Sequence, residues 1–169
     1  CGGERLSFGV QTFHPRLLKL IGREQNLENI PRVIDHVHEI GFKNINIDLI
    51  YGLPTQKIAE WEEDLHRAIE LKVEQISTYP LMLLANSELS NQVRNGVIDL
   101  PNKNRDVMYN RAVDILTKAG YNYNELYAFH KSQERFNVYC TFEQNDEYIG
   151  LGAGAHSIAF GYRYYNTYS

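Results

Sequence analysis

Cysteine is almost missing from this chain: 169 residues contain two, Cys1 and Cys140. They lie near opposite ends of the sequence and offer neither a disulfide framework nor the close spacing of a metal site, so no role is assigned to them. No apolar run approaches the roughly 20 residues needed to cross a bilayer. The N-terminus also lacks the charged-then-apolar pattern of a signal peptide, which makes the cytoplasm the default location. Basic charge is in short supply, with 17 Lys and Arg against 21 Asp and Glu and a formal charge of -4. No basic stripe is visible, which argues against a nucleic-acid surface. Internal repeats and low-complexity segments are absent. Of the six histidines, His36 and His38 stand two apart and cannot share a helical face, so they do not form a zinc pair.

What is present suffices for a core. An apolar content of 43% in 169 residues can bury one and need not imply more than one domain. The chain opens at Cys1-Gly2-Gly3 and enters an apolar strand almost at once, from which we expect the native polypeptide to extend upstream.

Leu6, Phe8 and Val10 alternate with Ser7, Gly9 and Gln11, the period of a strand. The same period recurs over Asn44 to Leu49, where Ile45, Ile47 and Leu49 alternate with Asn46 and Asp48, and over Gln75 to Tyr79. Between the strands, Ile30, Val33, Ile34, Val37 and Ile40 recur at helical spacing, with Pro31 in the first turn and Gly41 as the stop. A second helix carries Trp61, Leu65, Ala68 and Ile69. Its acidic residues Glu60, Glu62, Glu63 and Asp64 fall early, where the macrodipole favours negative charge. A third carries Met108, Ala112, Ile115 and Leu116 and ends at Gly120.

Strands separated by helices predict βαβ units and a parallel sheet. A doubly wound sheet would be apolar on both faces, yet here one face reads Ser7, Gln11, Asn46, Asp48, Ser77 and Tyr79. A barrel with a polar interior fits better. In such barrels ligands sit at the C-terminal strand ends, which is where Gln11, Asp48 and Tyr79 fall. Beyond Gly120 the sequence turns aromatic, with short strands predicted over 121–130, 138–142, 148–151 and 158–165. The string Gly150-Leu151-Gly152-Ala153-Gly154-Ala155-His156 marks close backbone approach. The fold expected is α/β: the C-terminal half of a partial TIM-type (β/α)6 barrel over 1–100, then a helix and a small α+β aromatic extension over 101–169.

Four runs carry a resemblance to a known family: Arg5-Leu6-Ser7-Phe8-Gly9-Val10-Gln11-Thr12-Phe13, Gly22-Arg23-Glu24-Gln25, Asn46-Ile47-Asp48-Leu49-Ile50-Tyr51-Gly52-Leu53-Pro54 and Gly150 to Ser157. In order and spacing they resemble the oxygen-independent coproporphyrinogen III oxidase family of radical S-adenosylmethionine (SAM) proteins. The resemblance implies a barrel binding SAM and a 4Fe-4S cluster, from which a 5'-deoxyadenosyl radical is generated. It implies that Gln11 and Asp48 hold the ribose hydroxyls, that Arg23 pairs with the methionine carboxylate, and that Tyr79, Leu81 and Met82 run beside the adenine. Those residue types suit the task, since a carboxylate accepts from both hydroxyls of a cis-diol and guanidinium engages a carboxylate in two-pronged fashion.

The family's cysteine triplet has no counterpart here, so the cluster ligands are expected outside this chain and the chain alone is expected to be inactive. The resemblance further implies a tetrapyrrole substrate and an electron-donor protein. The same motifs occur in oxidases, haem chaperones, haem-degrading enzymes and methyltransferases, and the Gly152 to Ser157 ending is common in the chaperone-like and methyltransferase-like branches. The chaperone-like relatives carry a His-Asn pair before the glycine string, where this chain reads Glu134-Arg135-Phe136-Asn137-Val138-Tyr139 without histidine. Against each reading stands a structural one. Asp48 and Gln11 would otherwise be strand-end caps, Arg23 an exposed ion pair, His156 and His130 hydrogen-bonded structural groups, and the tyrosines core and sheet surface. A barrel enzyme using Asp48 as a general base without a cluster would ignore the order of the motifs.

Overall fold

The structure, a computed structural model, describes residues 5–85, 87–100, 104–125, 127–131 and 147–167. Both cysteines, the segment 134–139 and the strand expected over 138–142 lie outside these. The chain divides into two compact units, Cys1–Gln133 and Glu134–Ser169.

In the first unit, strands β1 (Arg5–Gln11), β2 (Asn44–Tyr51) and β3 (Gln75–Pro80) lie side by side and parallel. Helices α1 (Pro15–Leu20) and α2 (Ile30–Glu39) connect the first pair, and α3 (Ile58–Glu70) the second. After β3 come α4 (Glu88–Arg94), α5 (Arg105–Lys118) and the strands β4 (Asn122–Glu125) and β5 (Ala128–His130). β5 pairs antiparallel with β3 and β4 antiparallel with β5, giving the order β1-β2-β3-β5-β4. The partial parallel barrel is therefore continued by an antiparallel hairpin in the same sheet.

The strand periodicity has the expected consequence. Ile45, Ile47, Leu49 and Ile76 are fully buried on one face of the sheet, under Ile34 and Val37 of α2, Trp61, Leu65 and Ala68 of α3, and Met108, Ala112 and Leu116 of α5. Each such side chain contributes about 1.5–3 kcal/mol. Trp61 locks α3 to α5, its Nε1 donating to the Met108 carbonyl at 2.8 Å. Gly41 and Gly120 stop α2 and α5 in left-handed conformation, φ 99° and 87°. The amide of each following residue, Phe42 or Tyr121, donates back into the last turn, to Val37 and Leu116. α1 and α4, of six and seven residues, were too short to show a helical stripe in the sequence.

Tyr121 fastens the bottom of this layer. It is 2% exposed, and its hydroxyl donates to the Val73 carbonyl at 2.7 Å. Burial pushes its own pKa well above the phenol range, so it stays a neutral donor. Tyr121→Phe strands a buried carbonyl and is expected to lower unfolding free energy by about 1–2 kcal/mol in denaturant titrations, with the cooperativity parameter unchanged.

In the second unit, β6 (His156–Ala159) and β7 (Tyr162–Tyr165) form an antiparallel pair. The stretch expected as a strand at 148–151 is a single bridge, Tyr148 to Ile158. The glycine string does bring backbone together. A Cβ on Gly150 would collide with the His156 carbonyl, and Asn166 Nδ2 donates to the Gly150 and Gly152 carbonyls at 3.1 and 2.8 Å.

Candidate functional site

The polar face of the sheet is a connected network, and Asp48 is its focus. Parallel register puts Ser7 opposite Asn46, Gly9 opposite Asp48, and Asp48 opposite Ser77, so these residues share a face. Ser77 Oγ donates to Asn46 Oδ1 at 2.9 Å. Asn46 Nδ2 donates to Ser7 Oγ at 2.7 Å and to Asp48 Oδ1 at 2.8 Å. Ser7 Oγ donates to Asp48 Oδ2 at 3.1 Å. Each oxygen of Asp48 thus has one donor from the sheet and lone-pair capacity left over. The side chain is half-buried and held in one orientation from β1 and β2.

Gln11 reaches the same place by an irregularity. Pairing slips between Gly9 and Gln11, and Gln11 adopts φ 68°, left-handed for a residue with a side chain. The Thr12 amide closes the turn around it by donating to the Val10 carbonyl at 2.9 Å. The Gln11 amide folds back over Gly9, since a Cβ built on Gly9 would meet Gln11 Nε2 at 2.7 Å and Arg23 Nη1 at 3.7 Å. Simple alternation placed Gln11 on Asp48's face; bulge and turn, not alternation, put its amide there.

Arg23 arrives through the end of α1. Gly22 takes φ 67°, its amide donating to Lys19 and the Arg23 amide to Leu18, the double-bonded helix stop that a left-handed glycine allows. Gln25 Nε2 donates to the Val10 carbonyl at 2.5 Å and moors the loop to β1. The run Gly22-Arg23-Glu24-Gln25 therefore has a structural logic: stop the helix, launch the guanidinium, anchor the loop. Among the described residues neither the Gln11 amide nor the Arg23 guanidinium has a hydrogen-bond or ion-pair partner. Gln11, Arg23 and Asp48 are brought together around Gly9, whose missing side chain leaves the space.

The remaining candidates stand apart. Tyr79 shares Asp48's face one strand over, opposite Ile50, with its ring 5.6 Å from that of Tyr127. Leu81 turns away, its side chain buried with Leu17 and Leu53, its amide bound to the Tyr51 carbonyl and its own carbonyl to Arg105. Met82 is 69% exposed. His156 is exposed, its ring tilted against that of Tyr165 at 5.8 Å; His130 is buried. His36 pairs with Glu39 and His38 with Glu74, on separate partners. No group of three or more metal-ligating side chains occurs among the described residues, nor any helix long and apolar enough to cross a membrane.

Sequence reasoning missed Asp64. Of the four acids expected early in α3, only Glu60 lies in the first turn, accepting the Lys57 amide at 2.8 Å. Asp64 is two turns in and fully buried, accepting from Thr12 Oγ1 at 2.8 Å and from the Phe13 amide at 2.7 Å. The available signal was helical spacing, because Asp64 follows buried Trp61 by three and precedes buried Ala68 by four. Burial pushes its carboxyl up to about 6, against the pull of the two hydrogen bonds and of His14, with Glu63 adding to the rise. A carboxyl raised in the folded state contributes stability that is full below its unfolded value near 4 and is lost as pH rises through about 6. Lowering pH from 7 to 5 is therefore expected to raise the melting temperature of the wild type relative to Asp64→Asn, which has no carboxyl to protonate.

The Radical SAM superfamily matches residues 1–68. The haem chaperone HemW of Lactococcus lactis is 38% identical over 96% of this chain and 43% of its own length. The oxygen-independent coproporphyrinogen III oxidase of Escherichia coli is 33% identical over 72% of the chain and 27% of its own. The solved structure of the Escherichia coli enzyme, HemN, described as a radical SAM enzyme, superposes with a TM-score of 0.78 at 26% identity, covering 99% of this chain and 42% of that one. The chain thus spans less than half the length of these relatives. With the motifs in order, a matching partial barrel and the same relatives found by sequence and by structure, the chain belongs to the radical SAM superfamily, among the proteins similar to oxygen-independent coproporphyrinogen III oxidase and the HemW haem chaperones.

Proposed function

We propose that this chain supplies the SAM-holding part of a radical SAM protein of haem metabolism. The observation that carries the reading is the convergence of three polar side chains around Gly9, two of them, Gln11 and Arg23, without a hydrogen-bond or ion-pair partner among the described residues. The donor set fits the ligand. Asp48, already oriented by Ser7 and Asn46, has lone pairs left for the hydroxyls of a ribose. The Gln11 amide can donate and accept beside it, and the Arg23 guanidinium suits the methionine carboxylate. Tyr79 to Met82 would run beside the adenine, with Leu81 shaping the backbone from its buried position and Met82 presenting an exposed side chain. When bound, SAM and a reduced 4Fe-4S cluster supply hydrogen-abstracting radical chemistry; this chain's residues bind, orient and shield. The cluster ligands belong to sequence outside these motifs, and an electron-donor protein would reduce the cluster.

Two branches compete for the substrate. The oxidase reading has coproporphyrinogen III undergo oxidative decarboxylation; the carrier reading has haem bound and passed on. The 38% identity over 96% of the chain to a haem chaperone, against 33% over 72% to the oxidase, favours the carrier. A radical SAM methyltransferase is the third branch. The test uses full-length protein reconstituted anaerobically with iron and sulfide. Reductant-dependent 5'-deoxyadenosine supports the radical reading, and its absence with a loaded cluster overturns it. Consumption of coproporphyrinogen III assigns the oxidase, whereas stoichiometric haem binding with a Soret band and no such consumption assigns the carrier.

Gly9 gives a cheaper check. Its φ is not left-handed, so Ala costs no backbone strain there, yet the new Cβ would sit 2.7 Å from Gln11 Nε2 and displace the amide. Gly9→Ala is expected to fold as the wild type does and to bind SAM about tenfold more weakly, measured by equilibrium dialysis.

A further inference from the structure

We propose that Asp64 is a positioning residue for the SAM site, holding the turn that aims Gln11. The inference rests on the reading above that Gln11 contacts the ligand's ribose. Asp64 occupies a core position on α3, flanked by buried Trp61, Leu65 and Ala68. No Arg or Lys pairs with it among the described residues; the basic side chain beside it is His14, whose Nε2 lies 3.7 Å away and also 3.0 Å from the Glu60 carbonyl. A buried carboxylate without a strong counter-ion is a poor way to stabilise a core, and an apolar side chain would pack there at less cost.

What the carboxylate does accomplish is local. Its two oxygens take separate donors on the two residues that follow Gln11, Thr12 Oγ1 at 2.8 Å and the Phe13 amide at 2.7 Å. Thr12 Oγ1 in turn accepts the His14 amide at 3.2 Å, and the Thr12 amide closes the turn onto Val10. Arg67, also on α3, donates to the Phe13 carbonyl at 3.3 Å and lies over the Phe13 ring at 4.8 Å. On the other flank Gln25 holds the Val10 carbonyl at 2.5 Å. Gln11 sits between these anchors in a left-handed conformation that a residue with a Cβ adopts only when its surroundings impose it. Released, Gln11 would relax toward extended backbone, and its amide would leave Gly9 and Asp48. Asp64 touches no ligand; it acts through Thr12 and Phe13.

The test measures SAM dissociation constants by equilibrium dialysis on full-length, cluster-loaded protein, well below every variant's melting temperature. Asp64→Ala removes both acceptors, and Thr12→Val removes one donor while keeping the shape. Trp61→Phe, which loses the bond to Met108 and none of the hydrogen bonds that hold the turn, serves as a destabilised control outside the clamp. The expected result is a rise in dissociation constant of at least tenfold for Asp64→Ala and about threefold for Thr12→Val, recovered in Thr12→Ser, with no change for Trp61→Phe. Should Asp64→Ala fail to fold, Thr12→Val against Thr12→Ser decides. Binding within twofold of wild type in the clamp variants, or an equal loss in Trp61→Phe, overturns the inference. Failure of the underlying reading looks different, because wild type would then not bind SAM, or Asp48→Ala would bind it equally well.

Discussion

Replacing Asp48 by alanine is expected to raise the dissociation constant for SAM about a hundredfold, with the fold preserved. Asp48 is half-buried, and both of its oxygens already accept one hydrogen bond, from Ser7 and Asn46. Those bonds fix the carboxylate plane before any ligand arrives, so no entropy of ordering that side chain is lost on binding. Hydrogen bonds to a charged group are worth about 1.5–3 kcal/mol each, and losing the carboxylate's contacts to a pair of hydroxyls costs about 3 kcal/mol, or two decades of affinity. Asp48→Asn separates charge from shape. It should bind with intermediate strength, because its amide nitrogen would face Ser7 or Asn46 and disturb a network built for an acceptor. Isothermal titration of the three proteins checks the ranking; equal affinity for wild type and Asp48→Ala would remove Asp48 from the site.

The largest effect on stability is expected at Trp61. Its side chain is 0% exposed, packs 5.5 Å from the Tyr51 ring, and ties α3 to α5 through Met108. Trp61→Ala leaves a cavity between the helical layer and the sheet and removes the indole donor that reaches across to α5. Large aromatic truncations cost about 3–5 kcal/mol. A domain's total stability is on the order of 5–15 kcal/mol, so the variant should lose a large share of it. Guanidinium unfolding followed by far-UV dichroism measures this directly. A loss below about 1.5 kcal/mol would mean that α3 and α5 are not joined at this point.

Much of this architecture was legible in the residues. Period-two alternation in Leu6 to Val10, Asn44 to Leu49 and Gln75 to Tyr79 located the three parallel strands, and its polar phase picked out the network residues Ser7, Asn46, Asp48 and Ser77. Gly41 and Gly120 marked helix ends because only a left-handed residue closes that hydrogen-bond pattern. Periodicity carries no information about a local break in its own rule. The slip at Gly9 and the positive φ of Gln11, a residue that does not advertise such a conformation, became visible only in three dimensions. Asp64 was hidden for another reason. Acidic neighbours on α3 suggested a helix-start cluster, whereas its spacing from Trp61 and Ala68 already placed it on the buried face. The antiparallel return of β5 onto β3 was equally silent, since short aromatic strands specify burial and not direction.

Arg23 shows where local chemistry and family resemblance meet. Nothing in composition singles out one arginine, but Gly22 stops α1 and delivers the next side chain beside Gly9 and Gln11, with no hydrogen-bond or ion-pair partner among the described residues. The resemblance names its ligand; the fold explains how it gets there.

The most direct test of the central claim is a crystal structure of the full-length protein with SAM bound. The ribose hydroxyls are expected on Asp48 and Gln11 and the methionine carboxylate on Arg23. A ligand that left these three side chains untouched would contradict the assignment of the site to this chain.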